Sequence, residues 1–394
     1  MVETALQCIE AETQIIAQAI VFHVSCLSID GVIGSREAGL IWKGRTMKVG
    51  LLHARSGVAG MWAPSMDAAA LVGAAEINAA GGILGEEIEL VFGDCGFSVR
   101  ESLDAVDTLI DIDGVDAIIG GHASNVRDAV SRRVASKVPY IYTPQYEGIA
   151  CGPSTVAIGS TDHELMAPAL QWLRSEKQAE RFFFVGNDYI WPRMALTTTR
   201  RLMREQGTHL VGQAIVPIKV ADYSELLKQI AQSGAQVVIQ ALIGLSSVEF
   251  NRAFAAAGLD QKMLRFGLIV DETVICGIGS DASANLFTAA SYFADHHSRS
   301  NDHFLERYHD AFGALAPPVS AGSVGYYEGL HVLAGLARDL QTRNSRALAH
   351  HLHRPMPRPT ARHMLDDKPV GQWPLVYMGR ADGVTLQVVA SLTH

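Results

Sequence analysis

From Met47 onward the sequence alternates short apolar runs with longer amphipathic segments, and this alternation constrains the fold more than any other feature. It is typical of βα units, in which a parallel sheet is covered by helices on both faces. In the segment Val99–Ile110 the apolar residues fall on one helical face, which is expected to pack on the first sheet. The first set of predicted strands comprises Val49–Leu52, Ile88–Phe92, Ala117–Gly120 and Tyr140–Tyr142.

A second set of the same kind begins near Arg181. Its predicted strands are Phe182–Val185, Val237–Gln240 and Phe266–Val270, and its predicted helices are Arg193–Gln206, Tyr223–Ser233 and Leu245–Ala257. The sequence therefore predicts an α/β protein with two lobes, each built on a doubly wound parallel sheet.

Later segments indicate how the lobes are connected. A helical region, Val319–Leu340, precedes the Pro-rich stretch His353–Pro359 and terminal strands at Leu375–Met378 and Val384–Val389, which predicts a hinge with several crossings. Loops or crossings are expected at Cys151–Thr161, Gly277–Asn285 and Ala316–Pro318. We expect residues 47–160 plus about 291–340 to form lobe 1, and residues 161–290 plus about 341–394 to form lobe 2.

Residues 1–46 precede the first predicted strand and do not share its pattern. Polar residues interrupt the apolar stretch Ile15–Leu27, and no Lys or Arg occurs before Arg36, so neither a secretory signal peptide nor a bilayer-spanning helix is predicted. Two interpretations stay open. The segment is either an upstream extension, with Met47 as the functional start, or a helical extension that contacts a partner.

The net charge of −9 argues against direct binding of nucleic acid or of an anionic membrane. The odd number of cysteines, without a Cys-x-x-Cys pair, predicts free thiols in a reducing compartment, so we expect a cytoplasmic protein. The five cysteines are Cys8, Cys26, Cys95, Cys151 and Cys276.

The sequence contains none of the common short motifs for catalysis, metal binding or cofactor binding, such as a nucleophile elbow or a phosphate-binding loop. The pair His296-His297 and the cluster of His350, His351 and His353 have no metal-ligand spacing with a Cys or a carboxylate, so solvated histidines are expected. We expect a binding protein without metal or cofactor, and not an enzyme.

Ligands of open α/β sheets bind beyond the carboxyl ends of the strands, so three loops that follow strands are candidates for contact with a ligand. The first, Gly120–Asn125, contains His122 and Ser124. Ser124 is expected to be the N-cap of the following helix. A helix N-terminus also offers free N–H groups to a ligand oxygen, so both residues are candidate ligand contacts.

The second loop follows Tyr142 and contains Pro144 and Gln145. Such residues around a proline are also typical of a simple turn that has no role in ligand binding. A tyrosine at the end of a strand, however, provides an apolar wall with a hydroxyl tip, which suits a small polar ligand.

The third loop, Gly186–Pro192, opens the second lobe and contains the candidates Tyr189 and Trp191, whereas its Asn187 and Asp188 could be structural caps. The later pair Asp271-Glu272 either enters the cleft or caps the next helix.

These loops contain few charged residues, which favours a neutral ligand such as a short amide or urea, because a buried charge needs a partner. Replacing Tyr142 or Tyr189 with alanine is expected to abolish ligand binding and to leave the stability of the unliganded protein nearly unchanged.

From Met47 to near the C-terminus, the chain resembles the cytoplasmic amide sensors that negatively regulate aliphatic amidase operons. The segment Gly186–Arg193 resembles the family's Gly-Ser-Asp-Tyr-Ile-Tyr-Pro-Arg, and Tyr146-Glu147-Gly148 adds to the resemblance. Similar segments occur in the urea- and amide-binding components of transporters. The resemblance implies the type I periplasmic-binding-protein fold.

By this resemblance, Ser124, Tyr142 and Tyr189 surround the bound amide, while Pro144 replaces a family threonine and His122 replaces a family tyrosine. The family also implies an antiterminator-type RNA-binding protein as the partner, which is released when an amide binds. The alternative is the substrate-binding protein of an ABC transporter for short-chain amides or urea. A homo-oligomer remains open.

Overall fold

The computed structural model of the protein describes residues 46–352 and 376–392, which belong to one compact unit beginning at Thr46. The proposed N-terminal extension up to residue 45 and the Pro-rich stretch His353–Pro359 lie outside the described residues. The predictions about both therefore stay predictions.

The first sheet has five parallel strands in the order β2-β1-β3-β4-β5. Its four predicted strands are all present, while β5 was not predicted, because it lies within the segment Cys151–Thr161, which was interpreted as a loop or crossing. The central strands are buried on both faces, as expected for a parallel sheet covered by helices. The strands are β1 (Met47–His53), β2 (Ile88–Asp94), β3 (Ala117–Gly121), β4 (Tyr140–Tyr142) and β5 (Thr155–Ala157).

The second sheet has seven strands in the order β12-β11-β10-β9-β8-β6-β7, of which β11 and β12 are antiparallel to their neighbours. The prediction of a strand over Phe266–Val270 is wrong at its end, because the strand stops at Gly267 and the chain then turns out of the sheet. The strands are β6 (Arg181–Asn187), β7 (His209–Val216), β8 (Val237–Ala241), β9 (Leu264–Gly267), β10 (Leu286–Ala290), β11 (Tyr377–Asp382) and β12 (Thr385–Ser391).

The helices between the strands pack on the sheets. The segment predicted as a helix over Val99–Ile110 forms an α-helix to Asp107 and then a π-turn over Thr108–Ile112. The helices are α1 (Ala63–Ala79), α2 (Val99–Asp107), α3 (Ser124–Val134), α4 (Asp162–Lys177), α5 (Ile190–Gln206), α6 (Ser224–Gln232), α7 (Leu245–Ala256), α8 (Glu272–Ile278), α9 (Arg299–Phe312), α10 (Ala321–Leu340) and α11 (Ser345–His350).

Within the described residues, the chain crosses between the sheets after β5 and again after β10. Of the two alternatives left open for Gly277–Asn285, the loop holds, because the segment joins α8 to β10 within the second lobe. Ala316–Pro318 is likewise a loop, since the flanking helices α9 and α10 both pack on α1. The exact lobe boundaries stay a prediction.

Both sheets repeat one strand order, since β7-β6-β8-β9-β10 matches β2-β1-β3-β4-β5. In each sheet the winding direction reverses beside the first strand, so the loops that follow β1 and β3, or β6 and β8, leave a crevice for a ligand. The predicted α/β architecture with two doubly wound sheets is confirmed.

Candidate ligand-binding site

A cavity of about 150 Å³ lies where loops at the carboxyl ends of the two sheets meet. Cavities of roughly this volume hold a molecule the size of benzene. The structure brings all the candidate residues proposed from the sequence to its wall, although their role in binding stays a prediction. These residues are His122, Ser124, Tyr142, Pro144, Gln145, Tyr189 and Trp191.

Sequence reasoning missed the rest of the wall. The carboxyl ends of β8, β9 and β10 also line the cavity, and the strand-end rule that found the first three loops could have found these. Trp62 and Met66 left no such signal, because Trp62 lies in a short 3₁₀ helix and Met66 in the alanine-rich helix α1. The additional wall residues include Ile243, Leu268, Ile269, Val270, Asp271, Thr288, Ser291, Ala321 and Gly322.

His122 follows β3 and uses both ring nitrogens within the protein. Its Nδ1 donates to the carbonyl oxygen of Ala123 at 3.1 Å, which leaves Nε2 to accept from the Tyr140 hydroxyl at 2.7 Å. Burial lowers the pKa of His122 to about 4, so the ring is neutral at pH 7. His122 therefore presents a neutral ring to the cavity, without a free nitrogen.

Tyr142, the last residue of β4, belongs to the core as well as to the cavity wall, and only 1% of its surface is exposed. Its hydroxyl donates to the carbonyl oxygen of His122 at 2.8 Å. The Arg127 guanidinium lies 5.2 Å from the centre of its ring. Burial raises the pKa of Tyr142 well above its usual value, so the hydroxyl stays protonated.

Ser124 is the first residue of α3, and the expectation that it caps this helix is wrong. Ala123 occupies the cap position, and Ser124 Oγ donates instead to Glu147 Oε2 at 2.8 Å. The other oxygen of Glu147 accepts from Arg127 at 2.6 Å, and both side chains of this ion pair are almost fully buried. Ser124 is thus fixed by a buried carboxylate, and the first-turn N–H groups of α3 adjoin the cavity.

Pro144 and Gln145 lie between β4 and the first crossing. Pro144 is packed so closely that a Cβ atom on Gly159 would lie 2.0 Å from its carbonyl oxygen. Gln145 Nε2 donates to Asp162 Oδ1 at 2.8 Å, and Trp191 Nε1 donates to the same oxygen at 3.0 Å. Burial raises the pKa of Asp162 to about 7.

Tyr189 occupies the cap position of α5 and contacts both lobes. Its ring meets the edge of Phe97, from the loop after β2, with ring centres 5.6 Å apart. Its hydroxyl has no hydrogen-bond partner among the described residues and is available to a ligand. The caps suggested for this loop are wrong, since Asp188 pairs with Arg193 and Asn187 bonds Pro217 and Ile243.

For Asp271 the two alternatives left open by the sequence both hold. Asp271 caps α8 by accepting from the N–H of Val274 at 3.0 Å, and it lines the cavity. Its other oxygen accepts from Trp62 Nε1 at 2.8 Å, which joins the two lobes. Burial raises its pKa. Glu272 does not reach the wall, and one of its oxygens accepts from the N–H of Ala294.

The electrostatic character of the wall follows from these contacts. Helices α1, α3, α5 and α10 all begin at the cavity, so their first-turn N–H groups provide positive potential there. Among the described wall residues, Asp271 is the one with a carboxylate, and there is no Lys or Arg.

Residues 46–352 and 376–392 contain no group of three or more His, Cys, Asp or Glu side chains placed to hold a metal ion. None of the helices in these ranges is long and apolar enough to cross a membrane. Cys95, Cys151 and Cys276 are free thiols. His297 is exposed as expected, whereas His296 is half-buried against Tyr377.

The fold matches solved structures of transport proteins. A solute-binding protein of an ABC transporter from R. palustris, in complex with 4-hydroxybenzoate, superposes with a TM-score of 0.77 at 20% identity, covering 89% of this chain and 96% of that chain. A branched-chain amino acid ABC transporter periplasmic ligand-binding protein from Burkholderia xenovorans gives a TM-score of 0.73 at 19% identity, with coverages of 88% and 96%. These similarities agree with the predicted type I fold.

A sequence relative from Brucella melitensis, Leu/Ile/Val-binding protein homolog 6, is 27% identical over 162 residues. That alignment covers 40% of this chain and 41% of the relative, less than half of the relative's length. The family model for periplasmic binding proteins matches residues 46–367, which is most of the chain. The chain therefore belongs to the periplasmic binding protein family.

Proposed function

We propose that the protein is the solute-binding component of an ABC-type uptake system and encloses one small, overall neutral organic molecule between its lobes. The observation that carries this proposal is the cavity itself, in which strand-end loops of both sheets surround one space without a Lys or Arg among its described wall residues. The names of the relatives, which are transporter components, support a role in transport over a role in regulation.

The wall favours a solute with an apolar body. Trp62, Met66, Tyr142, Trp191 and Leu268 provide apolar surface on several sides. With a volume of about 150 Å³, the cavity accommodates one aromatic ring or a branched aliphatic chain and excludes larger solutes.

The charges favour a solute that is neutral overall. A ligand with a net negative charge would find no Lys or Arg in the wall to pair with, and it would meet the carboxylate of Asp271. An amide meets these constraints, because its oxygen can accept from helix N-termini while its N–H groups donate. An apolar amino acid is the next candidate, with its ammonium group toward Asp271.

A regulatory role is the second candidate, and the resemblance of Gly186–Arg193 to amide sensors favours it. In that role the same cavity would bind an amide in the cytoplasm, and closure would release an antiterminator-type partner. Only this second candidate implies a cytoplasmic location, an antiterminator-type partner and no role in transport.

A thermal-shift screen of the purified protein tests the proposal. Acetamide, isobutyramide, benzamide, urea and L-leucine are compared with benzoate and glucose. A solute at about 100 times its Kd should add about 2.7 kcal/mol of stability. We expect amides or leucine to raise the melting temperature more than benzoate does. A response to benzoate or glucose alone, or to none of these compounds, would contradict the proposal.

Gene deletion separates the two roles. Loss of uptake of the labelled solute supports transport, whereas unchanged uptake with altered amidase expression supports the amide sensor. Turnover of the bound amide by the purified protein would contradict both.

A further inference from the structure

Asp162 lies just behind the cavity wall and holds two of the wall's side chains. It is the first residue of α4, 1% exposed, and follows the first crossing between the sheets. It is not needed as a helix cap, because Thr161 and Glu164 already form a complete capping box. Its Oδ1 accepts from Gln145, beside the first sheet, and from Trp191, beside the second.

This contact decides which way the Gln145 amide faces. A carboxylate oxygen accepts and does not donate, so the atom of Gln145 that lies 2.8 Å from it is the NH₂ nitrogen. Turning the amide over would place two acceptor oxygens against each other. Oε1 of Gln145 therefore points away from Asp162, and it has no partner among the described residues.

Neighbouring groups at this end of the cavity are also available. Ser160 lines the wall, is 4% exposed, and its Oγ has no hydrogen-bond partner among residues 46–352 and 376–392. The buried Oδ2 of Asp162 has none either. Glu147 adds negative charge nearby, partly balanced by its ion pair with Arg127. The polar groups at this end of the cavity are thus mainly acceptors, and the Ser160 hydroxyl can either accept or donate.

We propose that Asp162 is a positioning residue that fixes Gln145 with its carbonyl oxygen toward the solute, so that the part of the solute bound there must donate hydrogen bonds. The proposal rests on the proposed function, since it assumes that a solute occupies the cavity. It narrows the class to primary amides, alcohols and ammonium compounds, and it excludes a solute that presents a carboxylate to Gln145.

Matched amides and acids test it by titration calorimetry at pH 7.5, with benzamide against benzoate and isobutyramide against isobutyrate. In the parent, we expect each amide to bind at least tenfold more tightly than its acid. Asp162→Ala frees the Gln145 amide to rotate, so this preference should fall by about tenfold, the range of one hydrogen bond to a charged group. Asp162→Asn keeps an acceptor oxygen and should retain the preference.

Gln145→Met provides a second test that does not depend on removing a buried group. It should lower amide affinity by about fivefold to tenfold without lowering acid affinity, because the lost oxygen bonds the amide and repels a carboxylate. Asp188→Asn is the matched control, since Asp188 is exposed at the start of α5 and outside the wall.

A third test uses the NMR signals of the protein without solute. The Trp191 indole N–H signal, identified by its loss in Trp191→Phe, should shift together with the Gln145 NH₂ signals as Asp162 titrates, and Asp162→Asn should remove both shifts. Variants that keep the parent's preference would overturn the positioning role and leave the proposed function intact, whereas an acid preference in the parent would overturn both. If no probe binds, the proposed function fails, and signals that do not titrate together overturn the role of Asp162 as well.

Discussion

The backbones of Gly244 and Val58 touch across the two lobes, so closely that a Cβ atom on Gly244 would lie 2.0 Å from the carbonyl oxygen of Val58. Gly244 precedes α7 and has a positive φ of 47°, whereas Val58 lies in the 3₁₀ helix after β1. A side chain at residue 244 would therefore hold the lobes apart.

We expect Gly244→Ala to lower solute affinity at least tenfold, because the clash is present when the lobes meet and relieved when they part. Gly258→Ala is the matched control, since Gly258 also has a positive φ, of 66°, with open space around it. Alanine at positive φ costs about 1 kcal/mol or more, and the cost is larger at Gly244, whose ψ of −119° lies outside the left-handed helical region, so unfolding free energy is measured alongside affinity. Equal affinities in the two variants would show that the contact does not govern closure.

Trp62→Phe removes the indole N–H that donates to Asp271 across the lobes and keeps most of the ring. A hydrogen bond to a charged group contributes about 1.5–3 kcal/mol, so we expect affinity to fall by roughly 10-fold or more. Trp172→Phe is the control, because Trp172 packs on Phe287 and does not line the cavity. Calorimetry that finds the two variants alike would argue against a closing role for Trp62.

The two tyrosines of the site should behave differently. Tyr142→Phe leaves the carbonyl oxygen of His122 without a donor, which should cost about 1–3 kcal/mol of unfolding free energy. Tyr189→Phe should change stability by less than about 0.5 kcal/mol and mainly weaken solute binding. Urea unfolding and calorimetry on the same samples separate these effects. The burial of Tyr142 also overturns the expectation that its alanine variant keeps its stability, because such truncations cost about 3–5 kcal/mol.

Stability should depend on pH in a defined direction. Burial raises the pKa of Asp162 from 3.8 to about 7 and that of Glu272 from 4.5 to about 8, so the folded state binds more protons than the unfolded state between these limits. The free energy of unfolding should therefore increase as the pH falls from about 8 to about 6.5. Burial lowers the pKa of His122 and His331 from 6.5 to about 4, so below about 6.5 these two groups bind fewer protons in the folded state, which offsets the two carboxyl groups and flattens the trend.

Urea unfolding at several pH values between 5 and 8.5 checks this profile. Asp162→Asn and Glu272→Gln should each reduce the slope between about pH 8 and 6.5, and in each variant stability should fall below about pH 6.5, because the two histidines are then only partly offset. A profile that rises steadily from pH 6.5 to 8.5 would contradict the assigned directions.

Much of the fold could be predicted because the burial of one face of a helix or strand gives the sequence a regular spacing of apolar residues. The strand Tyr140–Tyr142 and the helices near Tyr223 and Leu245 agree with prediction within a few residues. Helix α1 (Ala63–Ala79) could not be found in this way, because it is alanine-rich and buried on nearly every side, which removes the polar face.

The site could be predicted where the rule that ligands bind beyond the carboxyl ends of strands can be applied to a single loop. Loops after parallel strands identified seven wall residues, among them Ser124 and Tyr189. Contacts between distant residues were not predictable. Trp62 and Asp271 are 209 positions apart, and the role of Asp162 depends on Gln145 and Trp191, which come from different lobes.

The contact between Gly244 and Val58 leaves no slack, and this bears on how loading is reported to other proteins. A solute too bulky for the cavity would wedge the halves ajar, so filling and shutting become one event with a binary outcome. A partner protein that binds only the shut form would thus distinguish loaded from empty molecules without contacting the solute. It would not bind molecules that hold a solute too large for the cavity.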